Sequence, residues 1–124
     1  MPAIVNALRI SRWLLLLAFV AAGLYFLNDA FFSAWVAGGP PGEHKLGWER
    51  RSQASLALCI ACLLAGVTTF WGARRFPVVG RLTWLLLGLA AVIAVIPFLA
   101  QQVLIDKCLD SGGRWSGATI ECER

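Results

Sequence analysis

Residues 82–105 of the chain read LTWLLLGLAAVIAVIPFLAQQVLI, a stretch without a single charged side chain. Two further apolar runs precede it: residues 54–72 carry no charge, and residues 13–36 carry only Asp29. A helix that crosses a bilayer needs about 20 apolar residues at about 1.5 Å each. The sequence therefore predicts an all-α membrane protein with three transmembrane helices, one in each apolar run.

The composition favours the same class of protein. Of 124 residues, 59% are hydrophobic and 15% are charged, whereas soluble domains average about 45–50% and about 25%. The net charge of +4 does not indicate nucleic-acid binding, because the Arg residues stand at the ends of apolar runs and form no basic stripe. We expect a three-helix bundle over residues 1–105 in a lipid bilayer, a tail over residues 106–124, and no nucleic-acid partner.

A cleaved signal peptide is the alternative interpretation of the first run. Arg9 and Arg12 would then be its basic region, and Leu14–Leu17 would begin its apolar core. The apolar stretch continues beyond Phe32, however, whereas a signal core has about 7–15 residues. The length of the run predicts an uncleaved helix.

Tryptophan and arginine positions predict how the helices are oriented. Trp side chains prefer the membrane–water boundary, and they fall into two sets, Trp13, Trp71 and Trp84 at one end and Trp35 and Trp48 at the other. The short connection over residues 73–81 carries three Arg and no acid, which is typical of a cytoplasmic loop. The overall counts of Lys and Arg on the two sides are nearly equal and do not decide. We expect a cytoplasmic N-terminus and an external C-terminus.

The tail reads CLDSGGRWSGATIEC between Cys108 and Cys122. A disulfide that closes such a loop contributes about 3 kcal/mol, and the cysteines suit an oxidising compartment. Residues 110–113 predict a turn, and Gly117-Ala118 predicts a two-residue hairpin turn. We expect a small disulfide-closed hairpin, with Trp115 over the bridge or on the membrane surface. A metal site is disfavoured, because the tail has two thiols and no His.

The tail resembles an element, Cys-Leu-Asp-x-Gly-Gly-x-Trp followed by a second Cys, of small exported and inner-membrane proteins of Gram-negative bacteria. Several of these are similar to immunity or accessory proteins. The matching residues are Cys108, Leu109, Asp110, Gly112, Gly113, Trp115 and Cys122. The resemblance covers residues 108–124 only. It implies a bacterial inner membrane, a periplasmic tail and a disulfide loop, and it carries no catalytic residue.

A second cysteine pair, Cys59-Ile60-Ala61-Cys62, lies inside the second helix. Membrane thiol oxidases that resemble the disulfide-generating and vitamin K reductase families use this spacing with a quinone, and Cys108 and Cys122 would then be the mobile outer pair. Buried thiols without a nearby basic group are poor thiolates. The other interpretation is that Cys59 and Cys62 are small residues on a packing face. Small residues at helical spacing occur in all three runs, including Gly23, Gly66, Gly88 and Ala91, and favour close helix contact.

Polar residues within the runs share one depth, close to the outer boundary. The members of this layer are Asn28, Asp29, Ser55, Gln101 and Gln102. Polar groups in hydrocarbon need a partner or water. The layer is therefore either a partner or ligand site with Asp29 as its charged member, or a hydrated layer in which Asp29 bonds to Gln101 or Gln102.

The external connection between the first two helices holds a further set of polar residues. His44, the only histidine, is expected to be solvated there. Arg50 and Arg51 are expected to meet lipid phosphates.

No nucleophile–base pair, phosphate loop or metal-ligand cluster is recognisable in the sequence. It therefore predicts a non-enzymatic membrane protein without a cofactor that binds another protein through its outer face. Immunity to a membrane-targeted toxin and an accessory role in a membrane complex are the specific forms, and a homo-oligomer is left open. The alternative is the thiol–quinone redox protein. The candidate partner-binding residues are Asp29, Trp48, Arg50, Arg114 and Trp115.

Overall fold

Three long helices and a two-stranded hairpin make up the computed structural model, which describes residues 1–40, 42–75 and 77–124. The elements are α1 (Pro2–Ala37), α2 (Lys45–Arg74), α3 (Arg81–Asp110), β1 (Arg114–Ser116) and β2 (Glu121–Glu123). All three helices are long and apolar enough to cross a membrane. Pro41 in the first connection and Phe76 in the second lie outside the described residues.

Each helix is longer than the apolar run that predicted it, which was 13–36, 54–72 or 82–105. The largest extension is at the start of α1, which begins at Pro2, and α2 also begins well before its apolar run, at Lys45. α3 continues to Asp110, so the predicted tail begins inside a helix. The backbone ladder of an α-helix is independent of side-chain polarity, so an apolar run marks only the hydrophobic part of a helix. As a result, α1 and α2 are joined by residues 38–44 alone.

The middle helix, α2, packs against both of the others. Two glycines mark a close approach between α2 and α1. A Cβ atom at Gly66 would lie 2.8 Å from the Cβ of Phe19, and one at Gly23 would lie 3.0 Å from Leu63. The predicted close approach of small residues is confirmed here, because each glycine admits a large side chain from the facing helix.

The third helix is packed less tightly. Only Ala90 and Cys108 are buried among its residues. Gly88 has open space around its Cα, and Ala91 is exposed. The prediction that these two belong to the contacting face is therefore wrong. A spacing of three or four residues identifies a stripe of small side chains on a helix. The rotation of α3 about its own axis decides which of its stripes contacts α2.

The hairpin follows α3 through a glycine cap. Gly112 has φ 77°, its N–H donates to the carbonyl of Leu109, and the N–H of Gly113 donates to that of Cys108. These bonds form a Schellman motif. The turn predicted at residues 110–113 is therefore confirmed. β1 and β2 are antiparallel, with Trp115 opposite Cys122.

The predicted two-residue turn at Gly117-Ala118 is wrong. The strands are joined by residues 117–120, and Ile120 rather than a glycine takes positive φ, at 55°. Its N–H donates to the carbonyl of Ser116, at 2.9 Å. A β-branched residue is rarely found in this region of φ, and no local sequence signal marks the position.

The glycine contacts between α1 and α2 predict a difference between two otherwise similar substitutions. Gly66→Ala should lower the stability of the fold by about 1–3 kcal/mol, because the new methyl group meets Phe19. Gly88→Ala should raise it by about 0.5–1 kcal/mol, since space is open there and Ala favours helix. Thermal unfolding of both variants in the same detergent measures the difference. Equal midpoints would contradict the packing described here.

Candidate functional site

Chemically varied side chains gather at one end of the molecule. This end, called the hairpin end below, consists of the C-terminal part of α1, the first turns of α2, the C-terminal part of α3 and the hairpin. Most of its polar contacts join residues that are far apart in sequence. The opposite end is formed by the N-terminus of α1 and the connection between α2 and α3.

Glu121 caps the start of α2. One carboxylate oxygen, Oε1, accepts the backbone N–H of Gly47 at 2.9 Å. The other, Oε2, lies 3.0 Å from His44 Nδ1, and because an ionised carboxylate only accepts, the ring nitrogen donates. The first N–H groups of a helix lack partners within it, and the N-cap residue His44 supplies none through its side chain. Glu121 in the second strand therefore supplies the acceptor for the Gly47 N–H. The expectation that His44 is only solvated is wrong.

Two further contacts hold the hairpin against α2. Arg50 Nη1 donates to the carbonyl of Ile120 at 2.9 Å. Gly47 lies so close to the carbonyl of Thr119 that a side chain at this position would overlap it. The absence of a Cβ atom therefore lets the turn of the hairpin rest directly on the helix.

The disulfide between Cys108 and Cys122 is confirmed, and it joins the end of α3 to β2. Trp115 is half-buried and lines the same cavity as both cysteines, which agrees with its predicted place beside the bridge. Arg114 is exposed. Cys59 and Cys62 are free thiols, and Cys59 is buried.

Asp29 is engaged by α2. Arg51 donates to Asp29 from Nη2 at 2.8 Å and from Nε at 3.3 Å, and the Ser55 hydroxyl also donates to this carboxylate. The suggested bond to Gln101 or Gln102 is wrong, and Arg51 is committed to an internal ion pair.

The rest of the predicted polar layer does not assemble. Within residues 1–40, 42–75 and 77–124, the side chains of Asn28, Gln101 and Gln102 are exposed and take part in no hydrogen bond within the chain. Ser55 alone of the layer joins Asp29. These residues belong to α1 and α3, and each of these helices packs against α2.

Aromatic side chains surround the ion pair. The guanidinium of Arg51 lies 5.6 Å from the ring of Trp48, and Trp48 meets Phe32 edge-on at 6.0 Å. Trp35 is different, since 76% of it is exposed. Trp35 and Trp48 line an open cleft of about 580 Å³ together with Glu43 and His44.

No cluster of three or more His, Cys, Asp or Glu side chains that could hold a metal ion occurs in the part of the chain that the structure describes. The arrangement at the hairpin end can nevertheless recognise other molecules. It offers a cleft with two indole rings, exposed cationic side chains, and a backbone fixed by a disulfide and several hydrogen bonds.

Three residues that organise this end were missed by sequence reasoning. The pairing of Arg51 could have been predicted. When the connection between two helices is short, an acid near the end of the first helix, here Asp29, and a base near the start of the second lie at the same height along the helix pair. That inference needs the start of α2, which the apolar run does not mark. Glu121 and His44 are polar residues 77 positions apart, and no spacing rule relates them.

No protein-family model, curated protein or solved structure matches this chain.

The ion pair between Asp29 and Arg51 predicts energetic coupling. Asp29→Asn and Arg51→Gln should each destabilise the protein, and the double variant should lose less than the sum by about 1 kcal/mol, because each single change already breaks the pair. Chemical or thermal unfolding of the four proteins measures this. Asp106→Asn, on an exposed residue of α3, is the control partner for Arg51→Gln and should show no coupling. Additive effects for Asp29 would contradict the assignment.

The cap on α2 predicts sensitivity to acid. The hydrogen bonds from His44 and then from the Gly47 N–H lower the pKa of Glu121 below its usual range. A lowered pKa in the folded state contributes stability above the ordinary Glu pKa of about 4.3, and this contribution is lost as pH falls through the lowered value. The thermal midpoint should therefore drop on acidification from neutral pH to about pH 3, and Glu121→Gln should reduce that drop.

Glu123→Gln is the matched control for this experiment, since Glu123 lies exposed on the same strand. It should keep the pH dependence of the unchanged protein. Identical pH profiles for the two variants would show that Glu121 does not cap α2.

Proposed function

We propose that the chain is a multi-pass membrane protein of the bacterial inner membrane that acts by binding another protein at the hairpin end. The membrane placement is supported by three helices that are long and apolar enough to span. It is also supported by their surfaces, because large apolar residues such as Leu85, Val92 and Phe98 are 57–69% exposed. Contiguous apolar surface of this kind needs lipid or protein around it.

The proposed orientation puts the hairpin end in the periplasm and the opposite end in the cytoplasm. The Cys108–Cys122 bond supports this, because structural disulfides persist in oxidising compartments. The three Arg residues in the connection over residues 73–81 support it independently, through the preference of Arg for cytoplasmic loops.

The observation that carries the binding proposal is the exposed Trp35 beside a fixed backbone. Rigid surfaces bind with a smaller loss of conformational entropy, and Trp is the residue most enriched at binding hot spots. Of the candidates from the sequence, Asp29, Trp48 and Arg50 make internal contacts. Trp115 is half-buried beside the disulfide. Trp35 and Arg114 are exposed and available to a partner.

Immunity to a membrane-targeted toxin, or an accessory role in a membrane complex, is the specific form we propose for this interaction. It rests on the resemblance of residues 108–124 to the tails of such proteins. Both roles need a recognition surface and no catalytic group, so the same experiment tests them.

The thiol–quinone alternative requires that the tail cysteines reach Cys59 and Cys62. Cys59 lies nine residues after Arg50, which is about 13 Å along a helix axis. Arg50 is itself bonded to the hairpin, so a thiol-exchange step would need the hairpin to leave α2. A structural role for Cys59 and Cys62 is therefore the better-supported interpretation.

Site-specific photocrosslinking tests the proposal. A photoreactive amino acid at position 35 should give one discrete adduct in intact membranes, because this position faces the proposed partner. The same amino acid at position 84 is the matched control, since Trp84 is 66% exposed at the opposite end. Trp35→Ala should reduce copurification of the crosslinked protein at unchanged folded yield, whereas Trp84→Ala should not.

Three results would contradict parts of the proposal. Equal adducts at positions 35 and 84 would remove the hairpin end as the binding face. An adduct with the mass of a second copy would identify a homo-oligomer in place of another protein. Loss of the adduct in a Cys59→Ala, Cys62→Ala double variant would favour the redox alternative.

A periplasm-specific reporter fused after Arg124 should be active, and one fused within residues 73–81 should not.

A further inference from the structure

Two cavities adjoin on the α3 side of the hairpin end. The upper one, of about 430 Å³, lies under the hairpin and is lined by cationic and polar groups that include Arg50, Lys107 and Ser111. The lower one, of about 370 Å³, is a groove between α2 and α3. Arg50 and Leu104 line both of them. The two cavities therefore adjoin at these residues, and together they are called the channel below, with a more polar upper part and a more apolar lower part.

The lower groove exists because α2 and α3 face each other there with small residues. Ala54 and Ala57 line it from α2, and Ala100 lines it from α3. Pro97 and the flanking Ile96 form its base. From residue 96 to residue 104 a helix rises about 12 Å, so the groove fits an extended hydrocarbon chain.

Ile120 lines the groove at the end nearest to the hairpin. This residue takes φ 55°, a conformation that a β-branched residue rarely adopts. The carbonyl of Ile120 accepts from Arg50, and its side chain lines the groove. The same hydrogen bond therefore fixes an apolar side chain on the groove and a guanidinium group directly above it.

The upper cavity favours an anion. In the described residues, the Ile120 carbonyl is the one hydrogen-bond acceptor of Arg50, so further guanidinium N–H groups remain for a ligand. Lys107 is exposed at the cavity wall and forms no ion pair within the described ranges. Among the described residues that line this cavity, the cationic side chains Arg50, Lys107 and Arg124 outnumber the acidic Glu121. The charge left for a ligand is positive.

We propose that this channel binds an anionic phospholipid, with its phosphate at Arg50 and Lys107 and one acyl chain in the groove between α2 and α3. The inference rests on the membrane placement proposed above. In that placement the order of the two cavities matches the order of headgroup and chain in the outer leaflet. Basic pockets between helices at the membrane boundary bind anionic lipid headgroups in this way.

The test uses the full chain purified in a nonionic detergent and titrated with phosphatidylglycerol, phosphatidylcholine or glycerol 3-phosphate. Native mass spectrometry measures bound lipid, and thermal unfolding measures stabilisation. Phosphatidylglycerol should bind and raise the unfolding midpoint. Phosphatidylcholine should bind more weakly because its headgroup has no net charge. Glycerol 3-phosphate, which carries the phosphate without the chains, should have no effect.

Two variants separate the headgroup from the groove. Lys107→Gln should weaken phosphatidylglycerol binding by about fivefold, the contribution of one cation near an anionic lipid, and should leave phosphatidylcholine unchanged. Ala100→Leu should weaken both lipids by filling the groove. Arg75→Gln, at the opposite end, and Ala91→Leu, on an exposed part of α3 outside the groove, are the matched controls. The unfolding midpoint without lipid shows that each variant is folded.

Equal binding of the two lipids, or an unchanged affinity in both Lys107→Gln and Ala100→Leu, would overturn the proposal. Stabilisation by glycerol 3-phosphate equal to that by phosphatidylglycerol would reduce the site to an anion site. The Trp35 adduct is read separately. If no adduct forms at position 35 but lipid still binds, only the partner proposal is contradicted. If the adduct forms but lipid does not bind, only the lipid proposal is contradicted.

Discussion

The carboxylate of Glu121 at the start of α2 is the interaction on which the hairpin end depends. It supplies a hydrogen-bond acceptor to the N–H of Gly47, a group that the helix leaves without a partner. A negative charge near a helix N-terminus also interacts favourably with the helix dipole. The contact places the turn of the hairpin on the helix, which brings the Ile120 carbonyl to Arg50. The upper of the two cavities lies beneath the hairpin that is held in this way.

The disulfide and this cap constrain the hairpin from two directions. Cys122 is bonded to Cys108 near the end of α3, and the neighbouring Glu121 is hydrogen-bonded to α2. A segment of this size buries too little apolar surface to hold a fixed position alone. Cross-links to two helices provide that position, and they also join α2 to α3 through the hairpin.

Some polar side chains of the hairpin end bond to each other within the chain, and others stay exposed to other molecules. Asp29, a candidate for partner binding in the sequence, and Arg51, which was expected to meet lipid phosphate, bond to each other. An ion pair lowers the cost of holding charges close to an apolar region. Trp35, Lys107 and Arg114 stay exposed. The surface that remains for other molecules is therefore aromatic and cationic, which suits both a protein partner and an anionic headgroup.

The sequence alone determined the three helices, the disulfide and the turn at residues 110–113, because each depends on local information: run length, cysteine spacing and turn residues. Only the tertiary structure decided that Arg51 meets Asp29, that Glu121 caps α2 and that Ile120 takes positive φ. These contacts join segments from different helices and the hairpin, and they depend on where α2 begins and on how each helix is rotated. Hydropathy does not encode either quantity, since the helical ladder continues through charged residues and every helix offers more than one stripe of small side chains.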